Sequence, residues 1–358
     1  MNKPRRTTSK QVAERAGVSQ TTVSFVLNNV EDANISTETK ERVLQAARDL
    51  NYVPDRAARS LARGRSNNIA LVLSQPHAQI WIDEYIPKIL TGISQATEDT
   101  DWRILVQFDR TGTRDVYTDL LQSKEAAGVI VNFSHPSSDD IRQILACTQQ
   151  GLAIVSLSNI HPDVYSVEVD KFAGVQKVVR HLISQGHHRI ACISYAPAKT
   201  NPHADRRLRI FRDTLREAGC AYDPKLVRHG AFEPDTGYEA MRSILQESPH
   251  PTALYAMNDV MAFGAYQAIY EAGLRIPEDI AVVGFDNIRL ANYVAPPLTT
   301  INEPDVEQGR RAAEMLLALI DSRQPEEKHV TLETQLVVRR SCGARQRSES
   351  PEKGGYSF

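Results

Sequence analysis

Seven short apolar runs, separated by helical stretches, constrain the fold of this chain more than any other feature. They occupy residues 69–73, 104–108, 129–133, 153–157, 190–193, 253–257 and 280–283. Helical patterns lie between most of them, for instance over residues 86–98 and 172–184. Apolar strands that alternate with helices are typical of parallel sheets covered on both faces. We therefore predict an α/β body with parallel sheets.

The residues that follow these strands are the first candidates for a binding site, because ligands of parallel α/β sheets bind beyond the carboxyl ends of the strands. They form a polar set: Ser74, Asn132, Ser158, Asn258, Asp259, Asp286 and Asn287, with Arg207 near the start of a helix. Such side chains combine the donors and acceptors that a hydroxyl-rich ligand requires. Any one of them can also act as a helix cap, but the cluster favours a ligand.

The N-terminal residues carry the pattern of two short helices joined by a tight turn. Thr8 and Gln11 match a capping box, and Gly17 follows the first helix where a left-handed residue is needed. Ser19 is placed to cap the second helix. The pattern predicts a helix-turn-helix.

A third helix is predicted between a cap at Ser36 and a left-handed C-terminal residue at Asn51. Its apolar positions are Val43, Leu44, Ala47 and Leu50. We predict an all-α domain over residues 1–53, and a generic three-helix bundle that does not bind DNA is the alternative.

The second helix of a helix-turn-helix projects its N-terminal side chains into the major groove. Gln20, Thr21 and Thr22 offer donors and acceptors there, and glutamine pairs with adenine through two hydrogen bonds. Phe25, one turn further on, either contacts a thymine methyl group or packs inside the domain. The predicted DNA contacts of this domain are Thr8, Ser19, Gln20, Thr21, Thr22, Ser24, Phe25 and Asn28.

Residues 54–66 contain four arginines, three alanines and one leucine. A helix formed by this segment would be too short to be stable alone in water. Arginines for phosphates, alanines for close approach and a leucine to wedge between bases suit the minor groove. The predicted contacts are Arg56, Ala57, Ala58 and Leu61, and a flexible charged linker is the alternative.

Residues 1–65 are basic, with 12 Lys and Arg against seven Asp and Glu, although the chain carries a net charge of −2. The N-terminal part therefore suits a polyanionic partner.

These segments resemble the LacI/GalR family of transcriptional regulators. Residues 16–28 read AGVSQTTVSFVLN and residues 52–62 read YVPDRAARSLA, which match the head and hinge patterns of that family. Blocks at 257–266, 276–287 and 297–301 resemble its body, which is similar to periplasmic sugar-binding proteins. Phe25 departs from the best-known members, which carry arginine there, and this implies a different operator half-site.

The resemblance implies which side chains contact the effector: Ser74, Asn132, Ser158, Arg207, Phe232 as a stacking ring, Asn258 and Asp286. Ile210 stands where the family usually has glycine, and Ser158 where aspartate is frequent. Both departures leave the identity of the ligand open.

The resemblance also implies a two-lobed body, in which the chain crosses between the lobes near Tyr165, Pro297 and Pro325. The expected organisation is a DNA-binding domain over 1–53, a hinge over 54–66, an effector-binding and dimerisation domain over 67–342 and a disordered tail over 343–358. One lobe comprises about 67–165 with 297–325, and the other 166–296 with 326–342.

The implied function is sequence-specific regulation of transcription, as a repressor controlled by a small molecule. The expected partners are double-stranded operator DNA, an effector that is a sugar or sugar derivative, and a second copy of the chain in a homodimer. The alternatives are a purine- or nucleoside-responsive regulator that needs a corepressor, an activator, and a stand-alone solute-binding protein.

We expect no enzymatic activity, cofactor, metal site or membrane association. The sequence contains no P-loop, GxSxG, HExxH or GxGxxG motif, and His181, His187 and His188 fit the end of a helix better than a metal site. The four cysteines are scattered, which suits a reducing cytoplasm. No apolar run approaches the length of a membrane span.

Overall fold

The computed structural model describes residues 7–27, 34–52, 66–74, 84–109, 116–133, 136–196 and 201–344. The chain divides into two compact units, residues 1–67 with 124–126 and residues 68–123 with 127–358. Several predicted features lie outside the described residues. They are Asn28, the hinge residues Arg56, Ala57, Ala58 and Leu61, and all but the first two residues of the tail.

In the described part of the first unit there are three helices, α1 (Ser9–Ala16), α2 (Gln20–Leu27) and α3 (Thr37–Asp49). Thr8 and Gln11 form the predicted capping box, and Gly17 has a φ of 65°. Ser19 Oγ accepts a hydrogen bond from the Thr22 N–H, and Ser36 caps α3. The local signals of the sequence therefore set the helix boundaries.

Each helix contributes one almost fully buried valine to the core of this unit, Val12 from α1, Val23 from α2 and Val43 from α3, and alanines and Val26 complete it. Leu44, one of the four apolar positions of the predicted third helix, is exposed. It lies about 100° around α3 from Val43, and α1 and α2 cover only the narrower face that carries Val43, Ala46 and Ala47.

The larger unit alternates strands and helices. Its strands are β1 (Asn68–Leu73), β2 (Arg103–Phe108), β3 (Gly128–Asn132), β4 (Ala153–Ser156), β5 (Tyr165–Asp170), β6 (Ile190–Ser194), β7 (Val227–His229), β8 (Ala253–Ala256), β9 (Ala281–Val283), β10 (Thr300–Asn302), β11 (His329–Glu333) and β12 (Gln335–Val337). Its α-helices are α4 (Tyr85–Thr97), α5 (Val116–Ser123), α6 (Ser138–Gln149), α7 (Lys171–Ser184), α8 (Pro202–Glu217), α9 (Pro234–Ile244), α10 (Asp259–Glu271) and α11 (Asp305–Ile320).

The strands form two parallel sheets, one in each lobe. The first has the order β11-β5-β4-β3-β1-β2, and the second has the order β7-β6-β8-β9. All pairs in both sheets are parallel, whereas β10 and β12 form a short antiparallel pair. The prediction of a two-lobed α/β body with parallel sheets is confirmed.

The crossovers between the lobes lie elsewhere than predicted. β5 and β11 both belong to the first sheet, so the chain leaves the first lobe after Asp170 and finally at Thr334, rather than near Tyr165 and Pro325. β10 forms a bridge to the loop after β9 and therefore belongs to the second lobe. The remaining crossover accordingly lies at Glu303, after β10, and not near Pro297. The sequence analysis did not predict β5 and β11, because both alternate polar and apolar residues instead of forming a continuous apolar run.

In the first lobe, α4 and α11 pack at very short separation. An added Cβ at Gly92 would overlap the main-chain oxygen of Val306, and one at Gly309 would overlap that of Ile89. This packing brings the N-terminal ends of the two helices together, where Tyr85 Oη lies 3.4 Å from Gln308 Oε1. The first residues of α4 and the first residues of α11 therefore lie close together.

Candidate functional site

The first candidate site is the N-terminal end of α2. Gln20 and Thr21 are exposed there, as is Thr8 at the start of α1. Ser19 and Thr22 are joined in the cap, with their hydroxyl oxygens 2.9 Å apart. Gln20 and Thr21 are thus the side chains best placed to contact another molecule.

The side chain of Phe25 is 40% exposed, while its neighbour Ser24 is half-buried. The core of the head is formed by other residues, so Phe25 does not serve as a core side chain. A large exposed ring beside polar side chains marks an interaction surface. This exposure is compatible with a thymine methyl group as its partner.

The second candidate site lies at the carboxyl ends of the strands in the first lobe. Ser74 follows β1, and its N–H donates to the Asn132 carbonyl oxygen at the end of β3. Tyr85 Oη, at the start of α4, donates to Asn132 Oδ1 over 3.2 Å. Ser158 lies two residues beyond β4 and is half-buried. The structure therefore joins Ser74 and Asn132 directly and places Ser158 at the same edge of the sheet.

In the second lobe, Arg207 is buried at the start of α8. Its Nη2 donates to Tyr255 Oη over 3.0 Å and to the Met257 carbonyl oxygen over 3.1 Å, and its guanidinium lies 3.9 Å from the ring centre of Phe285. Burial by itself lowers the pKa of Arg207. The neighbouring tyrosines and the carboxylates of Glu303 and Asp286 raise it by more than burial lowers it, so the pKa of Arg207 lies above the ordinary value. Arg207 is a fixed cation of this site.

Asn258 and Phe232 have different roles in the same lobe. Asn258 Oδ1 caps α10 by accepting from the Met261 N–H over 2.8 Å, as the helix-cap interpretation predicted. The Phe232 ring stacks on Tyr195, with ring centres 4.5 Å apart, and its φ of 64° is left-handed. The predicted stacking ring therefore already has an aromatic partner.

Asp286 lies in a loop whose backbone is held in an uncommon conformation. Asp286 has a φ of 104° and Asn287 a φ of 49°. The buried carboxylate of Asp259 fixes this loop, because Oδ2 accepts from the Ile288 N–H over 3.0 Å and Oδ1 from the Thr300 hydroxyl over 2.6 Å. Burial raises the pKa of Asp259 to about 7, against the opposing effect of these hydrogen bonds.

Buried polar atoms without a hydrogen-bond partner occur in both lobes, on several of the residues just described. Among the described residues they include Ser74 Oγ, Asn132 Nδ2, Arg207 Nε, Asn258 Nδ2 and Glu303 Oε1. Buried polar atoms almost always have partners in folded proteins, so these side chains are the candidates for contacts to a small polar molecule. Four of the five atoms belong to residues that the sequence predicted.

Glu303 and Lys171 were not predicted. The Lys171 ammonium lies 2.7 Å from Glu303 Oε2 and 4.9 Å from the ring centre of Tyr85. Burial lowers the pKa of Lys171, but the charges of Glu303, Tyr85 and Asp305 outweigh it, and its pKa is raised. The available signal was a carboxylate directly after the short strand β10, which was itself missed.

Within the described residues, no group of three or more His, Cys, Asp or Glu side chains is arranged to hold a metal ion. None of the helices described is both long and apolar enough to cross a membrane.

Two family descriptions match this chain. Residues 8–55 match "Bacterial regulatory proteins, lacI family", and residues 179–342 match "Periplasmic binding protein-like domain". Both agree with the helix-turn-helix head and the parallel sheets.

The chain is similar over almost its full length to transcriptional regulators. The HTH-type transcriptional repressor PurR of Pasteurella multocida is 32% identical over 342 residues, which is 94% of this chain and 99% of that protein. The HTH-type transcriptional regulator CelR of Thermobifida fusca is 33% identical over 346 residues, 95% of this chain and 100% of that protein.

Solved structures give the same result. The lac repressor dimer bound to operator and the anti-inducer ONPF has a TM-score of 0.81 at 30% identity, covering 94% of this chain and 99% of that one. The CelR–cellobiose complex has a TM-score of 0.67 at 31% identity, covering 94% of this chain and 100% of that one.

Proposed function

This chain belongs to the lacI family of bacterial regulatory proteins, and from that premise we propose that it is a repressor controlled by a sugar bound between its two lobes. Membership in the family makes it a DNA-binding transcriptional regulator. We propose three points beyond this: that the effector is a sugar, that the protein represses transcription, and which residues contact the effector and the DNA. Its role is binding rather than catalysis, and it acts on DNA in the cytoplasm.

The observation that supports the sugar-binding proposal is the set of unsatisfied buried atoms in the two lobes, which we propose to line a cleft between them. Asn132 Nδ2, Asn258 Nδ2 and Arg207 Nε are donors, Glu303 Oε1 is an acceptor, and Ser74 Oγ can be either. A sugar hydroxyl both donates and accepts, so a polyol satisfies this mixture in a way that a purely acidic or purely basic ligand does not. The CelR–cellobiose complex supports the same class.

A purine is the second candidate. The relative PurR and the stacked pair Tyr195–Phe232 favour it, because aromatic faces stack on nucleobases. The sugar is preferred because the unsatisfied polar atoms come from both lobes, whereas the Tyr195–Phe232 stack lies in the second lobe alone.

Operator binding is proposed to use the N-terminal end of α2 in the major groove, with residues 56–61 in the minor groove between two half-sites. Two heads are then required, and half-sites lie about 10 base pairs apart. An exposed apolar patch of Tyr270, Leu290 and Tyr293 is proposed to bind a second copy of the chain. The solved lac repressor is a dimer on its operator.

The proposed control links the lobes to DNA. A ligand between the lobes favours one of their relative orientations, and in a dimer this changes the spacing of the two hinge segments. A spacing that prevents the hinges from pairing in the minor groove lowers operator affinity. Coupling of this kind typically amounts to about 1–3 kcal/mol.

The test is calorimetry of the full chain against a fixed panel of cellobiose, D-glucose, D-galactose, D-ribose, adenosine and hypoxanthine. Saturable binding of a neutral sugar, lost in Arg207→Met, supports the proposal. Tight binding of hypoxanthine or adenosine with no sugar binding overturns the sugar assignment and favours the purine-responsive alternative.

A further inference from the structure

The three segments that cross between the lobes are tied to one another by side chains. Lys171 follows β5 on the first crossover, and its ammonium lies 2.7 Å from the carboxylate of Glu303 on the second crossover. The Thr334 hydroxyl, on the third, donates to the Asp170 carbonyl oxygen over 3.2 Å. A change in the angle between the lobes must therefore be accommodated by this group of residues.

Glu303 is only half satisfied in this arrangement. Its residue is 5% exposed, and Oε2 is held by Lys171. Among the described residues, no donor reaches Oε1. A buried carboxylate oxygen without a donor loses its hydration and gains nothing in return. A purely structural ion pair at this position would not need the second oxygen to remain unsatisfied.

Glu303 also lies where the polar groups of the two lobes meet. Toward the first lobe, its partner Lys171 lies over the ring of Tyr85, and Tyr85 donates to Asn132. Toward the second lobe, its charge is close enough to raise the pKa of Arg207, which also has an unsatisfied buried nitrogen. Glu303 is therefore linked to Asn132 through Lys171 and Tyr85 and to Arg207 through its charge, which suits a contact to a ligand that both lobes bind.

We infer that Glu303 is an effector contact located on the hinge itself, and that it accepts a hydrogen bond at Oε1 from a hydroxyl or amino group of the effector. This inference rests on the proposed function, because it assumes a small polar ligand in the cleft. It also states which ligand groups Glu303 selects. The effector must present a hydrogen-bond donor to Oε1, and the negative charge of Glu303 repels a phosphate or carboxylate at that position. Because Lys171 holds the other oxygen, the bound ligand acts on two crossovers directly.

The decisive experiment compares donor and non-donor analogues. The probe is cellobiose, or the panel sugar that binds more tightly, together with its set of monodeoxyfluoro derivatives, in which each hydroxyl in turn is replaced by a fluorine that cannot donate. Affinities are measured by calorimetry for the wild type, Glu303→Ala and Glu303→Gln. Glu326→Gln, an exposed glutamate on the same chain, is the matched control.

One fluoro derivative is expected to bind the wild type about 10-fold or more weakly than the parent sugar, the usual loss for a hydrogen bond to a charged group. In Glu303→Ala that difference should disappear, while Glu326→Gln behaves as the wild type. Glu303→Gln should tolerate the phosphorylated form of the probe better than the wild type does.

Equal losses in the wild type and Glu303→Ala for every derivative overturn the inference but leave the proposed function standing. If the wild type binds no sugar of the panel, the proposed function fails, and the inference fails with it. If Glu303→Ala does not fold, the wild-type series decides: it contradicts the inference when no fluoro derivative binds about 10-fold or more weakly than the parent sugar.

Discussion

Lys88 of the first lobe donates a hydrogen bond from Nζ to the main-chain oxygen of Asp286 in the second lobe, over 3.0 Å. The same ammonium lies 3.6 Å from Asp305 Oδ2 at the start of α11. One turn earlier, the Glu84 carboxylate accepts from the Arg289 N–H over 3.1 Å. The beginning of α4 therefore holds the loop that carries a predicted effector residue, and it holds the two lobes together.

Lys88→Met is expected to weaken effector binding about 3- to 10-fold, because it shifts the lobes away from the arrangement in which both contact the ligand. Calorimetry with the sugar identified from the panel measures this change. Lys225→Met, on a lysine of the second lobe outside the cleft, is the control. Unchanged affinity in Lys88→Met would show that this bridge does not influence the lobe equilibrium.

Asp286→Ala is expected to remove the response to effector while leaving operator affinity without effector within about 3-fold. The Asp286 carboxylate is close enough to Arg207 to raise the pKa of that guanidinium, and Asp286 is far in sequence from α2. Operator titrations with and without the sugar measure both quantities. A normal response in the variant would exclude Asp286 from the site.

Asp259→Asn is expected to affect thermal stability and effector affinity in different ways. Burial raises the pKa of Asp259 from 3.8 to about 7, so the folded chain holds this proton more tightly than the unfolded chain does. The stabilising effect of the proton is complete at low pH and is lost as the pH rises to about 7. The uncharged amide avoids that loss.

The Tm of Asp259→Asn minus that of the wild type should therefore increase by about 2 °C or more between about pH 5 and pH 8. Effector affinity should fall, because the amide holds the Ile288 N–H less strongly than a carboxylate does. Thermal melts over this pH range and calorimetry at about pH 8 provide the measurements. A Tm difference independent of pH would contradict the assigned ionisation.

Gln20→Ala is expected to relax the preference for one base pair in each half-site and to cost about 1–3 kcal/mol on the preferred sequence. Binding to a library of half-site variants measures it. Gln45→Ala, on an exposed part of α3, should leave both affinity and preference unchanged. A uniform loss across all sequences would instead identify Gln20 as a phosphate contact.

Tyr293→Asp is expected to convert the dimer into a monomer and to lower operator affinity at least 10-fold, because one head then binds one half-site. Tyr293 is 77% exposed and lies beside Leu290, and a charge in the middle of an apolar interface opposes association. Sedimentation at micromolar concentration measures the assembly. A dimer that persists would place the interface elsewhere.

The parts of this fold that the sequence predicted are those with local causes. The capping pair Thr8–Gln11 and the left-handed Gly17 depend on neighbours within a few residues. The apolar strands β1 and β3 are buried on both faces, and this burial leaves a pattern that can be read directly. The exposure of Leu44 could not be inferred in this way, because the width of the covered face of α3 depends on two other helices.

The candidate site was predicted in part for the same reason. Asn132 and Asn258 follow continuous apolar strands, so their position at a carboxyl edge could be inferred. Glu303 follows a strand of three residues that pairs with β12, and Lys171 opens a helix immediately after the missed strand β5. Their ion pair joins residues 132 positions apart in the chain, and no local sequence pattern predicts a contact between residues so far apart.

The most direct test of the central claim is a salt-dependent titration of the full-length dimer on duplexes selected from a random pool, with and without the sugar that binds in calorimetry. The account predicts selection of a symmetric site with half-sites about 10 base pairs apart, an affinity that falls steeply with salt, and at least a 5-fold change on adding the sugar. Selection of no common sequence, or an affinity for the selected site that no member of the panel alters, would contradict it.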